Sequence, residues 1–467
     1  MTRLAASHAG TDGRADDGAL MSVSGFHDWW AERNAAGHFA VRRIPFSELD
    51  AWAFEPDTGN LGHESGRFFT IEGLRVRDGG VDTWSQPIIN QPEIGILGIV
   101  VKEFDGVLHC LMQAKMEPGN VNTLQLSPTV QATRSNYTRV HRGTGTPYLE
   151  CFIGPDRGEV LVDVLQSEQG AWFWRKRNRN MVVLVTGDVP VREDFCWLSL
   201  AQIRELTRID NLVNMDARTV LSCLPFELPQ QNGAPADDAF RDALVRSYQH
   251  QADGTETRPL HAMGEILSWF TEAKTRYDWT ARLVPLEGVA GWKRGDDEIA
   301  DHDGRRFRII AVEAEAGTRE VQRWTQPLLY PRGQGRAVFF ARSIRGVLHL
   351  LVQARPEYGL MDMVEMAPTV HLLPGTEPTD VDDPFTRDLL ISQPGVTHYD
   401  AVLSEEGGRF YKALTRYQII EADETMPIDV PPNFRWMTVR QLLDLLRHGH
   451  YLNIEARSLL ACMHSLC

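Results

Sequence analysis

Apolar positions alternate two by two over most of this chain and shift to a helical spacing only at a few points. GILGIVV, then Asp105-Gly106, then VLHCLMQAK reads as two strands joined by a tight turn. AVFFARS, Arg345-Gly346 and VLHLLVQAR repeat the pattern further on. Along the second strand of the first hairpin, Leu108, Cys110, Met112 and Ala114 point one way, and His109, Leu111, Gln113 and Lys115 the other. The first set is expected in a core. The second reads as a polar row facing a cleft, with His349, Gln353 and Arg355 as its counterpart. Helical spacing appears at FHDWWAERN and ILSWFTEAK, and again after Ser199-x-x-Gln202 and Thr438-x-x-Gln441, two capping boxes.

These pairs belong to one larger regularity. Trp84 and Trp324, Gln86 and Gln326, His109 and His349, Gln113 and Gln353, Thr129 and Thr369 all stand 240 positions apart. That spacing is a domain duplication; a solenoid would repeat every ~20–50 residues. Strands first and helices last in each copy predict an α+β class, with a mixed or antiparallel sheet and flanking helices in each. The expected boundaries are a disordered tail over 1–23, a first repeat over 24–226, a linker over 227–263 carrying a short helix (DAFRDALVRSYQHQ), and a second repeat over 264–467.

The net charge of −15 argues against nucleic acid or an anionic membrane as the main partner. No signal peptide opens the chain and no apolar run reaches the length of a membrane span, so a cytoplasmic protein is expected. The six cysteines form no CxxC pair and read as reduced, mostly buried thiols. Gly143-Thr-Gly145 and Gly333-Gln-Gly335 lack the third glycine of a dinucleotide motif, and no Walker loop, G-x-S-x-G or HExxH is present. His448-Gly-His450 is a poor metal pair, so neither metal nor cofactor is expected.

The copies diverge after the hairpin. QATRSNYTRVHRGTGTPYLE (131–150) carries Arg134, Arg139 and Arg142 with Tyr137, His141, Tyr148 and Glu150, whereas HLLPGTEPTDVDDPFTRDLL (371–390) carries five acids and one arginine. Arginines grip phosphate oxygens in a bidentate way, so the first copy is the expected active half. Arg218 and Arg457 read as fixing helix ends through Asp216 and Glu455. Arg177 and Arg179, near Asn178 and Asn180, leave open a second anionic site or a solvated loop.

WSQPIINQPEIGILGI, QAKMEPGNVNTLQLSPTVQATRSNYTRVHRG, SEQGAWFWRKRNRN and NLVNMDARTVLSCLPF resemble the nucleotide-diphosphate-hexose 2,3-dehydratases of deoxysugar biosynthesis, over roughly 24–467. The resemblance implies two tandem Nudix-like domains, a homodimer, and a dTDP-4-keto-6-deoxy-glucose substrate whose product passes to a C3-ketoreductase. The Glu-rich Nudix hydrolase box is absent, so metal-dependent pyrophosphate hydrolysis is not expected. Alternatives are a 3,4-ketoisomerase or epimerase on the same ketosugar, or a non-catalytic sugar-nucleotide-binding partner protein.

Dehydration needs a base near C3, a donor at the C4 oxygen and an acid at the C2 hydroxyl. By residue type, His141 is a candidate base or acid, with Glu117 or Glu150 as rival bases. Tyr137 or Tyr148 is a candidate donor, and Lys115 a group to polarise the C4 carbonyl. Arg134, Arg139 and Arg142 would hold the diphosphate. Trp84, Gln86, Gln113, Asn122 and Thr129 are candidate substrate contacts, and Trp324, Gln326, Gln353 and Arg355 those of a second site.

Overall fold

A computed structural model describes residues 18–133, 145–155, 157–224, 238–249, 258–317 and 322–467. The turn dipeptides do what their chemistry dictates: Asp105 and Gly106 take φ of 48° and 80°, and Arg345 and Gly346 take 54° and 74°, closing both hairpins. In the first half the strands Gly95–Phe104 and Val107–Met116 lie at the centre of a seven-stranded sheet. Arg177–Leu184 runs parallel to Gly95–Phe104, while the other pairings are antiparallel. The second half repeats this around Gly335–Ile344 and Val347–Pro356, again with one parallel neighbour, Leu414–Glu421. The protein is α+β, in two similar halves with mixed sheets.

Both capping boxes form, with Ser199 and Thr438 accepting from the backbone of Gln202 and Gln441. Helix Val23–Ala36 starts on Ser22, and its counterpart is Met263–Thr275. Residues 18–22, expected in the tail, belong to the folded body. The Leu20 N–H donates to His109 Nε2 (3.3 Å), and Gln202 Nε2 donates to the Met21 carbonyl (2.5 Å). The helix in the expected linker, Ala239–Tyr248, puts Phe240, Leu244 and Tyr248 into the second half's core. The remainder of that linker, 225–237 and 250–257, and the tail before residue 18 lie outside the described residues.

The polar row is not a cleft wall along its length. His109 is fully buried: Nδ1–H donates to the Val107 carbonyl, and Nε2 accepts from Leu20. His349 is held the same way by Val347 and Leu260. Leu111 packs in one core while Cys110 and Met112 pack in another, so both faces of the strand are covered. Lys115, near the end of the strand, is the member of the row that lines a cavity. All six cysteines are free. Among the described residues no helix is long and apolar enough to cross a membrane.

The halves are not laid side by side. Strand Phe39–Ile44 of the first half pairs with Phe307–Ala316 of the second, from Phe39↔Ala316 to Ile44↔Ala311. In return Trp279–Val284 pairs with Thr70–Asp78 of the first half, from Trp279↔Asp78 to Val284↔Gly73. Each half gives a strand to the other's smaller sheet, which exchanges the edges the two sheets would otherwise expose.

Two arginines fasten the same interface. Arg218, fully buried, donates to Val213 O in its own half (2.7 Å) and to Ser404 O in the other (2.9 Å). Arg457 donates to Leu452 O (2.6 Å), to Ser167 O, and to Thr219 Oγ1 (2.9 Å). The helix-end role expected of these arginines holds through backbone carbonyls, not through Asp216 and Glu455, and a cross-half clasp is added to it.

Candidate active site

Ser167 and Ser404, gripped by those arginines, begin two equivalent loops, 168–176 and 405–413, and each loop crosses to the opposite half. Gly119 N donates to Gly407 O (2.7 Å) and Lys412 N donates to Gly119 O (2.7 Å). Symmetrically, Gly359 N donates to Gly170 O (2.8 Å) and Arg175 N to Gly359 O (2.6 Å). The crossing needs bare backbone. A Cβ on Gly119 would lie 1.8 Å from Phe410 O, and one on Gly359 would lie 2.0 Å from Phe173 O.

Over the Lys115 end of the Val107–Met116 strand this crossing builds a cavity of about 120 Å³. The first half lines it with Lys115, Glu117, Gln131, Lys176 and Asp216. The second half contributes Gln326, Glu406 and Arg409. Glu117 accepts from Gln131 Nε2 (2.7 Å) and lies 3.6 Å from Lys115 Nζ. Arg409 donates to Gln91 Oε1 (2.9 Å) and lies over the Phe69 ring, 4.4 Å from its centroid. Gln326 fixes the crossing loop by donating to Gly408 O (2.9 Å).

Burial dominates the electrostatics. It pushes the Lys176 ammonium down to about 8, against the pull of Glu168 and Glu406, while Lys176 donates to Glu93 O. Burial, then the nearby Glu406, pushes Glu168 up to about 8. It raises Glu406 and lowers Arg409 as well. Asp216 rises well above the carboxylate range through burial first, then through Glu406, Glu168 and Glu117. Three carboxyl groups face three cations in one small cavity, so protons can move there without net charge being stranded.

At the matching place in the second half, Glu357, His371 and Glu455 converge: His371 Nδ1 lies 3.4 Å from Glu357, and its Nε2 lies 3.6 Å from Glu455. Arg355 stands 3.5 Å from Glu357. The loop that crosses here brings Gln169 and Trp172 in place of Glu406 and Arg409.

The structure brings together Lys115 and Glu117 of the expected catalytic set. Tyr148 is part of a core, donating to Pro190 O (2.7 Å) and accepting from Arg192 N (2.9 Å), and Glu150 is exposed; neither lines the cavity. Arg134, Tyr137, Arg139, His141 and Arg142 lie outside the described residues; Thr133, just before them, lines the cavity.

Strand exchange reverses the expected substrate contacts. Trp84 sits 6.3 Å (centroids) from Tyr358 of the second half, and Gln86 donates to Ala171 O on the loop crossing to that half. Arg306 covers the Trp84 ring at 3.6 Å, and this tryptophan lines a separate cavity with Arg75 and Trp292. Gln326, expected in the second site, is the one at the first cavity, and Trp324 donates to it (2.9 Å). Thr129 is structural, donating to Leu111 O and accepting from Val100 N. Asn122 is an exposed residue bonded to Asn211 O, and Gln113 and Gln353 line neither cavity. Arg177 and Arg179 lie on strand Arg177–Leu184, not in a loop; Arg179 is paired with Asp163 (2.6 Å), while Asn178 and Asn180 bond Glu168 and Thr219.

Asp216, Lys176, Glu406 and Arg409 are the residues sequence reasoning did not place at the site. A signal existed for two of them. SEQGAWFW (167–174) and SEEGGRFY (404–411) align residue for residue, and they differ in charge only where Gln169 faces Glu406 and Trp172 faces Arg409.

Gly119→Ala is expected to push the 405–413 loop off the first cavity and to cut turnover about a hundredfold, as misplacement near 1 Å can. Gly359→Ala makes the same clash in the second half, on the loop that ends at Lys176, and is expected to lose comparable stability with a smaller loss of turnover than Gly119→Ala. Steady-state kinetics and thermal melts on the two variants check this.

Duplicated α+β halves share a buried cavity of carboxyl, ammonium and guanidinium groups, the residue types that acid–base chemistry uses. The family follows from comparison. The model for NDP-hexose 2,3-dehydratase matches residues 23–224 and 263–463, and the chain belongs to that family of carbon–oxygen lyases. A dTDP-4-dehydro-6-deoxy-alpha-D-glucopyranose 2,3-dehydratase from Saccharopolyspora spinosa is 53% identical over 96% of this chain and 94% of its own length. Enzymes of the same name from Amycolatopsis orientalis and Streptomyces violaceoruber are each 49% identical, covering 99% and 96% of this chain and 93% and 98% of their own.

Proposed function

We propose that this chain eliminates water across C2 and C3 of dTDP-4-keto-6-deoxyglucose to give the 3,4-diketo-2,6-dideoxy sugar. The observation that carries the reading is the pairing of Glu117 with Lys115 at the mouth of a cavity completed by Arg409, in a chain matching named 2,3-dehydratases along its full length.

The C4 ketone acidifies the C3 hydrogen. Glu117 takes that proton, and the electron pair moves through C3–C4 onto the C4 oxygen. Lys115 donates to that oxygen; a fixed donor on developing negative charge contributes about 3–4 kcal/mol. The enolate then expels the C2 hydroxyl, and the resulting enol tautomerises. His141 is the rival to Glu117 as base, on residue type and on its place in the segment after Thr133. As the resemblance implies, the reading includes Nudix-like halves, a cytoplasmic homodimer and a C3-ketoreductase that consumes the product. The mixed sheet closed by helices in each half supports the first of these.

The test is incubation with dTDP-4-keto-6-deoxyglucose in deuterated water, with a C3-ketoreductase and NADPH to trap product, read by mass spectrometry. Loss of one water and a trapped 2-deoxy sugar are expected. Deuterium uptake without loss of water would make the protein an isomerase or epimerase. Binding of dTDP with neither would make it a sugar-nucleotide-binding protein.

A further inference from the structure

Asp216 is not the cap of its helix. It is the second residue of helix Met215–Leu221, but the helix is capped by Asn214, whose side chain accepts from Ala217 N (2.8 Å) and donates to Ser127 (2.8 Å). Arg218, two residues on, bonds carbonyls instead. The Asp216 carboxyl lines the cavity with Lys115 and Glu117, is only 2% exposed, and its buried Oδ1 has no hydrogen-bond partner. A buried, unpartnered carboxylate oxygen is costly, and holding a proton relieves that cost. In the second half the matching residue, Glu455, faces His371; in the first, Gln131 stands in its place.

Resting on the dehydratase reading, we propose that Asp216 is the acid that gives its proton to the departing C2 hydroxyl. As the enolate pair forms C2=C3 and the C2–O bond breaks, the Asp216 O–H proton passes to the leaving oxygen, which departs as water. The Asp216 carboxylate then takes the proton of the C3 enol hydroxyl as the C3 carbonyl forms. The proton held by Glu117 adds to C2, and both carboxyl groups return to their starting states. The groups facing Asp216 favour its protonated form: Glu117, Glu168 and Glu406 outweigh Lys115 and Arg409, on top of burial.

Asp216→Asn keeps the shape and neutral charge of the protonated acid and tests the proposal. Water loss from the natural substrate is expected to fall about a hundredfold or more, while deuterium exchange at C3 continues. The 2-deoxy-2-fluoro analogue of the ketosugar, whose fluoride leaves without a proton, is expected to be eliminated within about tenfold of the rate of unmodified protein. Undiminished water loss would overturn the proposal, as would joint loss of exchange and fluoride release. Unmodified protein supplies the same reading if the variant does not fold. As pH rises through the raised range of Asp216, water loss should decline while fluoride release holds; parallel decline would overturn the assignment. Unmodified protein that never dehydrates the ketosugar would instead remove the function on which the proposal stands.

Discussion

Glu117→Gln protein is expected to bind dTDP normally, yet to lose both C3 exchange and water loss by about 10²–10⁴-fold. The glutamine keeps the volume and one acceptor oxygen beside Gln131, so the fold around the cavity survives. What disappears is the basic oxygen next to Lys115. The fluoro analogue sharpens the result. Proton removal precedes any departure from C2, so Glu117→Gln should abolish fluoride release that Asp216→Asn preserves. His141→Ala run beside it decides between the two bases: the variant that silences C3 exchange identifies the base. Retained exchange in Glu117→Gln with loss in His141→Ala would move the role to the segment after Thr133.

Arg218→Ala carries the largest expected effect on stability, a loss of about 3–5 kcal/mol. Two carbonyls, Val213 O and Ser404 O, lose a charged donor deep in the interface, and each such bond is worth about 1.5–3 kcal/mol. The truncation also leaves a cavity, which costs more. Relief from burying the guanidinium acts the other way but does not cancel two unmet acceptors. Arg218→Met separates the contributions, because it fills the space without donating. Urea midpoints for both variants check the magnitude; a change below about 1 kcal/mol in Arg218→Ala would show the clasp to be dispensable. Turnover should fall in both, because Ser404 begins the loop that carries Glu406 and Arg409 to the first cavity.

The reach of the sequence ends where pairing becomes long-range. The duplication, the Asp-Gly and Arg-Gly hairpins, the capping boxes and the family resemblance all depend on residues near one another or at a constant offset, and each was legible. Lys115 and Glu117 could be named from the sequence too, Lys115 from the alternation along its strand and Glu117 from residue type. His109 misled because alternation reports which side a residue faces, not what covers that side; Leu20, which covers it, stands 89 positions earlier in the chain. The placement of Trp84 and Trp324 was out of reach for a related reason. A constant offset shows that two residues are equivalent, but not which half each one serves.

Only the tertiary structure decided that. Two exchanged strands and two crossing loops carry Gln326, Glu406 and Arg409 to Lys115, and Gln86 and Trp84 toward Glu357. Either half could in principle fill its own edge and its own cavity with local chain, and the periodicity along the sequence would be the same. What selects the exchange is the close approach at Gly119 and Gly359 and the carbonyls that Arg218 and Arg457 satisfy across the interface. Those contacts exist only once both halves are folded against each other.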